Sequence, residues 1–390
     1  MIAECVGGVS LAVWIYLVLA RGGFWQMRVV SPPSSETPLP TRKVAVIVPA
    51  RNEAAVIGQT VRSLLQQDYA GSVHAFLVDD HSSDSTAEIA LRTVEEAGCP
   101  ERLTIIQAGP LPEGWTGKLW ALSEGVRAAS SFAADYYWFT DADILHEPDN
   151  LRGLLARAEA GGFDLASQMV KLRCDSFAER MLIPAFVFFF FKLYPPNWVN
   201  RADKRTAAAA GGCILIRPAA LVHIGGIAAI RNKLIDDCAL ARAVKRGGRI
   251  WLGPTTRANS LREYGSFSEI GRMIARTAFT QLHHSAFLLC GVIAGMTITY
   301  IAPPLLLGMG RTAADFGVAA WLLMAIVYWP TVRFYELSPL WALSLPVIAA
   351  FYLGATICSA VQYWSGRGGL WKGRVQDQRA SEAASLHPNT

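Results

Sequence analysis

The sequence predicts an α/β domain with a mostly parallel sheet and helices on both of its faces, joined to transmembrane helices near both ends of the chain. Short apolar runs alternate with helical patterns through the first half of the central region. Long runs without charge lie near both ends, and 52% of the 390 residues are hydrophobic. That proportion is too high for a soluble two-domain enzyme of this length.

The first apolar run, VGGVSLAVWIYLVLA at 6–20, contains no charge and is followed by Arg21 and Arg28. It fits either one membrane-spanning helix or a signal peptide. Glu4 stands where a signal peptide carries basic residues, and no small-x-small cleavage site follows cleanly. We therefore predict an N-terminal membrane anchor over residues 1–30.

Three further apolar runs lie at 286–309, about 316–332 and 341–364, each near the roughly 20 residues that cross a bilayer. They predict a block of C-terminal transmembrane helices over 286–364. A basic tail, residues 365–390, follows them.

The positive-inside rule conflicts with this number of spans. Arg21 and Arg28 place the central region in the cytosol, and three later crossings would place the basic tail outside. Either one segment is re-entrant or interfacial, with Pro303 and Pro304 as its candidate position, or the tail breaks the rule.

A linker rich in proline and serine, residues 31–42, precedes a central domain predicted over 43–285. The domain starts as four strands separated by three helices. The strands are VAVIVPA, HAFLVDD, LTIIQA and YYWFTDAD, and the helices run from about Glu53 to Gln67, Ser85 to Ala97 and Lys118 to Ala129. This order predicts a sheet whose functional residues lie on the loops after the carboxyl ends of its strands.

Carboxylates follow three of these strands, which places them on one rim of the sheet. They are Glu53, then Asp79, Asp80 and Asp84, and then Asp141 and Asp143. Two aspartates one residue apart repel each other unless a cation lies before them. Hard divalent ions such as Mg²⁺ or Mn²⁺ prefer carboxylate oxygens and complete their shell with substrate phosphates. Lys118, at the start of a helix, could contact the same phosphates.

Two segments of the second half have membrane-related patterns. The run MLIPAFVFFFF at 181–191 is too short and proline-broken to span, so it fits either a surface in the headgroup region or a buried helix. Residues 267–284 predict an interfacial helix, with Arg272 and Arg276 on one face.

The sequence argues against several other classes of site. PARNEA stands where a dinucleotide-binding turn would follow the first strand, and GWTGKLW lacks an upstream glycine and a hydroxyl residue of a phosphate-binding loop. Seven cysteines without a C-x-x-C pair suggest neither a zinc site nor a disulfide framework, which fits the cytosol. A net charge of +5 without basic runs argues against nucleic acid as a partner. No Ser-His-Asp arrangement is identifiable.

Taken in order, the motifs resemble the family 2 glycosyltransferases, which use nucleotide sugars and have a glycosyltransferase-A fold. The resemblance covers about residues 43–285 and rests on VIVPARNE, LVDDHSSDST, GKLWAL, TDAD and IDD. It implies a nucleotide-diphosphate sugar donor and bound Mg²⁺ or Mn²⁺.

The resemblance also implies roles for individual residues. Glu53 and Asp80 would contact the nucleoside, and Lys118 would contact the donor. Asp141 and Asp143 would form a D-x-D motif that binds the diphosphate and its metal.

Further roles follow from the same resemblance. Asp237, the second acid of IDD, would be the catalytic base. The remaining donor-binding residues would be Pro49, Arg51, Gly212 and Arg276.

The whole arrangement is most similar to the hopene-associated glycosyltransferases of bacterial hopanoid gene sets. Processive relatives often carry Q-x-x-R-W, but this chain reads RMIARTAF, with Thr277 after Arg276, which argues against polymer synthesis. We expect a lipid acceptor, a polyisoprenoid or hopanoid alcohol, and an enzyme in the bacterial inner membrane with its catalytic domain in the cytosol. The alternatives are a sugar-phosphate or nucleotidyl transferase on a similar sheet and a non-catalytic membrane scaffold.

Several of these residues also have plain structural interpretations. Asp79 could end its strand without a ligand, and Asp84 could cap the following helix. The pair Gly211 and Gly212 could form only a tight turn. Asp236 could complement the dipole of the helix that it opens.

Overall fold

The computed structural model describes residues 1–30 and 41–366, and the backbone of two short strands beyond them. Most of the predicted linker, 31–42, and most of the predicted tail, 365–390, lie outside the described residues.

The chain forms two compact units, which we call the helical unit and the sheet unit. The helical unit comprises Met1–Met27, Cys174–Asn197 and Glu263–Thr390. The sheet unit comprises Arg28–Arg173 and Trp198–Arg262. The predicted domain at 43–285 therefore includes two segments that fold with the helical unit.

The strands β1 to β10 are Val44–Ala50, Val73–Asp79, Leu103–Gln107, Tyr136–Thr140, Ile144–His146, Leu165–Lys171, Cys213–Ile216, Ile250–Ser260, Leu370–Trp371 and Arg374–Val375. The helices α1 to α14 are Ile2–Ala20, Ile57–Leu65, Thr86–Glu96, Gly117–Ala128, Asn150–Gly161, Phe177–Leu193, Pro196–Val199, Pro218–His223, Asp236–Lys245, Phe267–Gln281, Ala286–Met296, Ala302–Leu305, Arg311–Phe334 and Leu345–Trp364.

One eight-stranded sheet organises the sheet unit, in the order β3-β2-β1-β4-β7-β6-β8-β5. The four strands predicted from the sequence pair in parallel. β6 and β8 are also parallel, whereas β7 is antiparallel to β4 and β6, and β5 is antiparallel to β8. The predicted α/β class is confirmed, and the antiparallel strands make the sheet mixed.

The strand β1 shows why this sheet is covered on both faces. Val46 and Val48 belong to a buried core that includes Ile57 of α2. Ile47 points to the opposite face because side chains alternate along a strand. There α4 approaches closely, since a Cβ added at Gly125 would lie 2.4 Å from Ile47 Cγ2. The apolar run therefore packs against a helix on each side.

Four helical segments of the described chain are long and apolar enough to cross a membrane. They are Ile2–Ala20, Ala286–Gly308, Arg311–Phe334 and Pro339–Trp364. Their positions agree with the predicted anchor and the three predicted later runs. The second segment contains α11, a π-helical turn and α12.

The run MLIPAFVFFFF lies in α6, which continues through Pro184. A capping box starts this helix, because Ser176 Oγ accepts from the Glu179 N–H and the Glu179 carboxylate accepts from the Ser176 N–H. Leu182 and Phe188 are buried within the helical unit. Of the two alternatives for this run, the structure has the buried helix.

Candidate active site

The loops after β1 and β2 are joined to each other by hydrogen bonds. Arg51 Nη1 donates to the Asp80 carbonyl at 2.7 Å and lies 3.5 Å from its carboxylate. Asn52 has a φ of 52° and binds the second loop through Ser82 and Ser83. Asn tolerates this left-handed conformation better than most residues. The two loops therefore form one structure at the rim of the sheet.

Two of the predicted acids bind the protein itself. Asp79 Oδ1 accepts from the Ser82 N–H at 3.1 Å. Asp84 accepts from the N–H groups of Thr86 and Ala54, both at 3.1 Å. Burial raises the pKa of Asp84, but the hydrogen bond from the Thr86 hydroxyl and those from the two N–H groups outweigh it and lower the pKa below its usual value. These contacts support a structural role for both acids.

Lys118 occupies the start of α4, where Thr116 caps the helix through its hydroxyl. Its Nζ lies 2.7 Å from Asp141 Oδ1 and 3.7 Å from Asp236 Oδ2. Burial opposes the charge of Lys118, but the two carboxylates outweigh burial and raise its pKa. The ammonium group is therefore charged and lies beside the D-x-D motif.

Arg262, directly after β8, joins two of the predicted acids. Its Nη2 lies 2.7 Å from Glu53 Oε1, and its Nε lies 2.7 Å from Asp143 Oδ2. Burial raises the pKa of Asp143, an effect that Arg262 opposes and the nearby Asp141 and Glu53 carboxylates reinforce. The sequence analysis assigned no role to Arg262, which lies in the stretch LREYGSF at 261–267.

Asp237, at the start of α9, is held by the backbone. Its Oδ2 accepts from the Gly211 N–H at 2.9 Å, and its Oδ1 accepts from the Cys238 N–H at 2.6 Å. Burial and the Asp236 charge raise its pKa to about 6, although Lys118 and the N–H groups oppose this. Of the two acids that open α9, Asp237 is therefore the one that accepts an N–H group of the helix.

A single cleft of about 340 Å³, including its open mouth, brings several predicted residues together. Pro49, Lys118, Asp141 and Asp237 line it with Gly211 and Asp236. Its apolar wall, which the sequence did not reveal, consists of Leu119, Leu122, Phe139, Ile214, Ile227, Ile230 and Leu240. The wall combines residues from distant parts of the chain.

The other predicted residues lie outside the lining of this cleft. Four of them belong to the contacts at the sheet rim described above. Arg262 joins Glu53 to Asp143, and Arg51 contacts Asp80. Gly212 follows the lining residue Gly211. Arg276 is an exposed residue of α10 in the helical unit.

The D-x-D acids fit a divalent ion that binds together with a diphosphate. No group of three or more His, Cys, Asp or Glu among the described residues could hold a metal alone. Mg²⁺ sites commonly use only one or two carboxylates together with substrate phosphates. Asp141 and Asp143 supply such oxygen donors, and basic side chains neutralise both in this structure.

A buried hydrogen-bond network supports the end of β4. Thr140 Oγ1 lies 2.8 Å from His146 Nε2 and donates to the Gly212 carbonyl at 3.0 Å. Asn150 Nδ2 lies 3.0 Å from His146 Nδ1. Burial lowers the pKa of His146 to about 3, so its ring is neutral. The network connects the D-x-D end of β4 with the glycine pair.

Comparison with known sequences gives a family match for part of the chain. Residues 45–225 match the family described as glycosyl transferase family 2. An uncharacterized protein of Methanocaldococcus jannaschii is 31% identical over 124 residues, which cover 32% of this chain and 45% of that protein.

A second relative is the undecaprenyl-phosphate 4-deoxy-4-formamido-L-arabinose transferase of Salmonella choleraesuis. It is 27% identical over 139 residues, which cover 35% of this chain and 39% of that protein. The chain thus spans less than half the length of the curated relatives it matches.

Among solved structures, the chain is similar to a mannosyltransferase from Pyrobaculum calidifontis in complex with GDP-Man and Mn²⁺. The TM-score is 0.52 at 18% identity, over 92% of this chain and 99% of that one. Together with the observed sheet, this likeness shows a glycosyltransferase-A type fold, as predicted. The sequence match over residues 45–225 supports the prediction of a family 2 glycosyltransferase.

Proposed function

We propose that the protein is a membrane-bound inverting glycosyltransferase that moves a sugar from a nucleotide-diphosphate sugar to a lipid acceptor. The observation that carries this proposal is the cleft lined by Lys118, Asp141 and Asp237. It combines a cation for the departing diphosphate with a carboxylate that can accept a proton. The glycosyl transferase family 2 match over 45–225 supports the same reaction class.

In the proposed reaction, Asp237 accepts the proton of the acceptor hydroxyl. The acceptor oxygen bonds to the anomeric carbon on one face while the carbon–oxygen bond to the diphosphate breaks on the other, so the configuration inverts. The nucleoside diphosphate leaves with the electron pair of that bond, and Lys118 stabilises its charge. Bound Mg²⁺ or Mn²⁺, held by Asp141 and Asp143, would supply further stabilisation of the leaving group.

The remaining donor-binding roles are proposals that follow the resemblance. We place Glu53 and Asp80 at the nucleoside, and the other donor contacts of the sheet unit at Pro49, Arg51 and Gly212. The hydrogen bonds between the loops after β1 and β2 support a shared role for Arg51 and Asp80.

The proposed acceptor is a polyisoprenoid or hopanoid lipid, and the proposed location is the bacterial inner membrane with the catalytic domain in the cytosol. Four helical segments apolar enough to span a membrane support a lipid substrate. The Salmonella relative is named for an undecaprenyl phosphate. The hopanoid assignment rests on the resemblance to hopene-associated enzymes, and lipid analysis of cells with and without the gene tests it. Loss of only a water-soluble glycoconjugate would reject a lipid acceptor.

Donor hydrolysis tests the proposed reaction class. Purified protein with Mn²⁺ and a panel of nucleotide sugars should slowly release nucleoside diphosphate without acceptor. Release of inorganic pyrophosphate would instead identify a nucleotidyl transferase. Neither release nor nucleotide binding across the panel would support a non-catalytic scaffold.

The D-x-D motif gives a separate test of metal dependence. Asp143→Ala should lower sugar transfer by orders of magnitude, because metal stabilisation of a leaving group is worth several kcal/mol. Full activity in a chelator, or unchanged transfer by the variant, would reject the metal-dependent mechanism.

A further inference from the structure

Within the helical unit, α1 and α13 run side by side in the same direction. Near their starts, a Cβ added at Gly7 would lie 2.7 Å from Phe316 Cβ. Just after α1, Phe24 packs on Phe188 with ring centroids 5.3 Å apart, and Phe188 packs on Tyr328 at 5.1 Å. Tyr328 lies in the last third of α13. The two helices therefore end on the same side of the membrane.

The segment Ala286–Gly308 runs in the opposite direction to α1. Leu306, near the end of this segment, would lie 3.2 Å from a Cβ at Gly7. Thr299, earlier in the segment, accepts a hydrogen bond from Trp14 Nε1 at 2.8 Å. The segment therefore starts on the side where α1 ends.

After α13 the chain turns back along that helix. The Leu337 N–H donates to the Val332 carbonyl at 3.1 Å, which closes the helix end. Six residues later, the Leu343 carbonyl accepts from Trp321 Nε1 at 3.0 Å. The Trp321 Cα lies about 20 Å before the end of α13, given a rise of about 1.5 Å per residue. Residues 335–344 therefore fold back towards the start of α13.

The next helix, α14, then runs in the same direction as α13. Phe188 packs on Tyr328 of α13, and the neighbouring Phe189 packs on Tyr352 of α14 with centroids 4.9 Å apart. Tyr352 is thus near the level of Tyr328, whereas Leu343 is near the level of Trp321. The chain moves back towards the end of α13 as α14 proceeds.

The far end of α14 confirms this direction. Ala360 belongs to one buried cluster with Phe279 and Leu289. Leu289 lies near the start of Ala286–Gly308, on the side where α1 and α13 end. A fourth crossing would carry Ala360 to the opposite side.

We propose that residues 335–344 are a re-entrant segment inserted in the bilayer, and that the described part of the chain crosses the membrane three times. The end of α14 then lies on the side where α1 ends. The basic tail, 365–390, then begins on the same side as Arg21 and Arg28, which removes the conflict with the positive-inside rule. The re-entrant position is thus 335–344 instead of Pro303 and Pro304. This inference does not depend on the proposed activity.

The helix α10 gives independent support because it lies beside α14 in the same direction. Phe267 packs on Phe351 at 6.1 Å, and Phe279, twelve residues later, packs on Tyr363 at 5.5 Å. The two helices therefore lie at the same depth in the membrane.

Because the two helices lie at the same depth, the charged side chains of α10 limit how deeply α14 can enter the bilayer. Arg272 and Arg276 of α10 are exposed. If α14 spanned the whole bilayer, α10 would carry both guanidinium groups into hydrocarbon, where charges are costly. If α14 instead runs from a re-entrant segment to the headgroup region, both guanidinium groups lie at the interface. From Pro339 to Val347 the exposed side chains, which include Leu340, Leu343 and Val347, are apolar and fit lipid. The exposed polar residues of the segment, Glu336 and Ser338, lie at its start, next to the end of α13.

The sidedness of three positions tests the proposal. In a full-length background with the seven cysteines replaced, Arg28→Cys, Met309→Cys and Ser365→Cys are labelled with a membrane-impermeant maleimide in intact cells and in inverted vesicles. We expect Ser365→Cys to label with Arg28→Cys and opposite to Met309→Cys. Labelling of Ser365→Cys together with Met309→Cys would establish a fourth crossing and overturn the proposal.

A protein that keeps its native cysteines provides a second measurement. An epitope added after Thr390 should be digested by protease from the side on which Arg28 is accessible. Digestion from the other side would contradict the three-crossing topology even if the cysteine-free background misfolded.

The insertion of residues 335–344 has its own test. A fluorophore on Leu343→Cys should be quenched more strongly by lipids brominated deep in their chains than by lipids brominated near the headgroup. The control, Ser365→Cys, should show the reverse order. Quenching of Leu343→Cys mainly by aqueous iodide would exclude a re-entrant segment.

Discussion

At the scale of single residues, Asp236 and Asp237 differ in what surrounds their carboxylates. The Asp237 oxygens accept N–H groups from Gly211 and Cys238, whereas the Asp236 carboxylate lies 3.7 Å from Lys118 Nζ. Backbone contacts fix the position of Asp237, and burial raises its pKa to about 6. A positioned carboxylate with a raised pKa suits a general base near neutral pH.

Asp237→Asn should retain metal-dependent donor binding and lose nearly all sugar transfer. General-base catalysis is typically worth about 10²- to 10⁴-fold, so the rate constant for transfer should fall by that factor. Asp236→Asn is the matched control and should lose less transfer, since it removes only one partner of Lys118. Donor titrations and single-turnover rates separate the two effects. Native-rate transfer by Asp237→Asn, or retained anomeric configuration, would remove Asp237 as the inverting base.

The pH profile of transfer should report the same carboxylate. Asp237 must be ionised to accept a proton, and its pKa is raised to about 6. Below this pH the protonated fraction grows, so the transfer rate should fall about tenfold per pH unit and level off above pH 6 to 7. Single-turnover rates from pH 4.5 to 8 at saturating donor measure this limb. A profile that stays flat down to the ordinary Asp range near pH 4 would contradict the assignment.

Arg262 was beyond prediction from one sequence. It contacts Glu53 and Asp143, which lie 209 and 119 residues away along the chain. Strand-end acids can be predicted because hydrophobic runs mark the strands before them. No local pattern marks a basic side chain that reaches them from a loop after β8.

Arg262→Gln should lower the free energy of unfolding of the metal-free protein by about 2 kcal/mol. This value lies between those for exposed and buried ion pairs, because Arg262 is about one-third exposed. The substitution removes a guanidinium group that contacts Glu53 and Asp143, and Mn²⁺ with nucleoside diphosphate should partly replace its charge. Thermal unfolding with and without these ligands measures both effects. Arg257→Gln, which removes the exposed pair with Asp149, is the control and should change little. Equal losses in the two variants would contradict a special role for Arg262.

At the scale of elements, the long apolar runs predicted the fold best. β1 to β4 lie where the sequence placed them, because each is a continuous apolar run that ends in polar loop residues. β5 and β7 have only three and four residues, and their antiparallel pairing depends on distant partners. Short antiparallel strands therefore could not be predicted, and the path of 335–344 also needed long-range contacts.

The packing of α4 on the sheet predicts the effect of one added methyl group. Gly125→Ala would place its Cβ 2.4 Å from Ile47 Cγ2 and 3.0 Å from Val78 Cγ2. Overpacking typically costs about 1–3 kcal/mol, and a shifted α4 would move Lys118 relative to Asp141. Both thermal stability and donor affinity should therefore fall.

Gly291→Ala provides the control for this change. No atom lies within 4 Å of a Cβ at Gly291, so this substitution should be neutral or stabilising by up to about 1 kcal/mol through helix propensity. Unfolding midpoints and donor titrations measure both variants. An unchanged Gly125→Ala protein would show that α4 can move away from the sheet without cost.

At the scale of the whole molecule, the two units are interleaved along the chain. The sheet unit is interrupted by Cys174–Asn197, which folds with the helical unit. This interleaving explains why the sequence predicted one domain over 43–285. The prediction followed motifs in their linear order, whereas the compact units follow contacts.

The interleaving predicts that a soluble catalytic fragment cannot be made by truncation alone. A chain ending at Arg262 keeps α6 but loses its partners: Tyr352, which donates to the Leu182 carbonyl at 2.8 Å, and Tyr328, which packs on Phe188. The buried apolar face of α6 would be exposed, and patches of that kind cause aggregation. Fragment 41–262 should therefore aggregate without detergent and remain dispersed with it, as measured by size-exclusion chromatography. As a control, the same fragment with 174–197 replaced by a glycine-serine linker should need less detergent. A monodisperse, detergent-free fragment 41–262 would show that α6 does not depend on the helical unit for its burial.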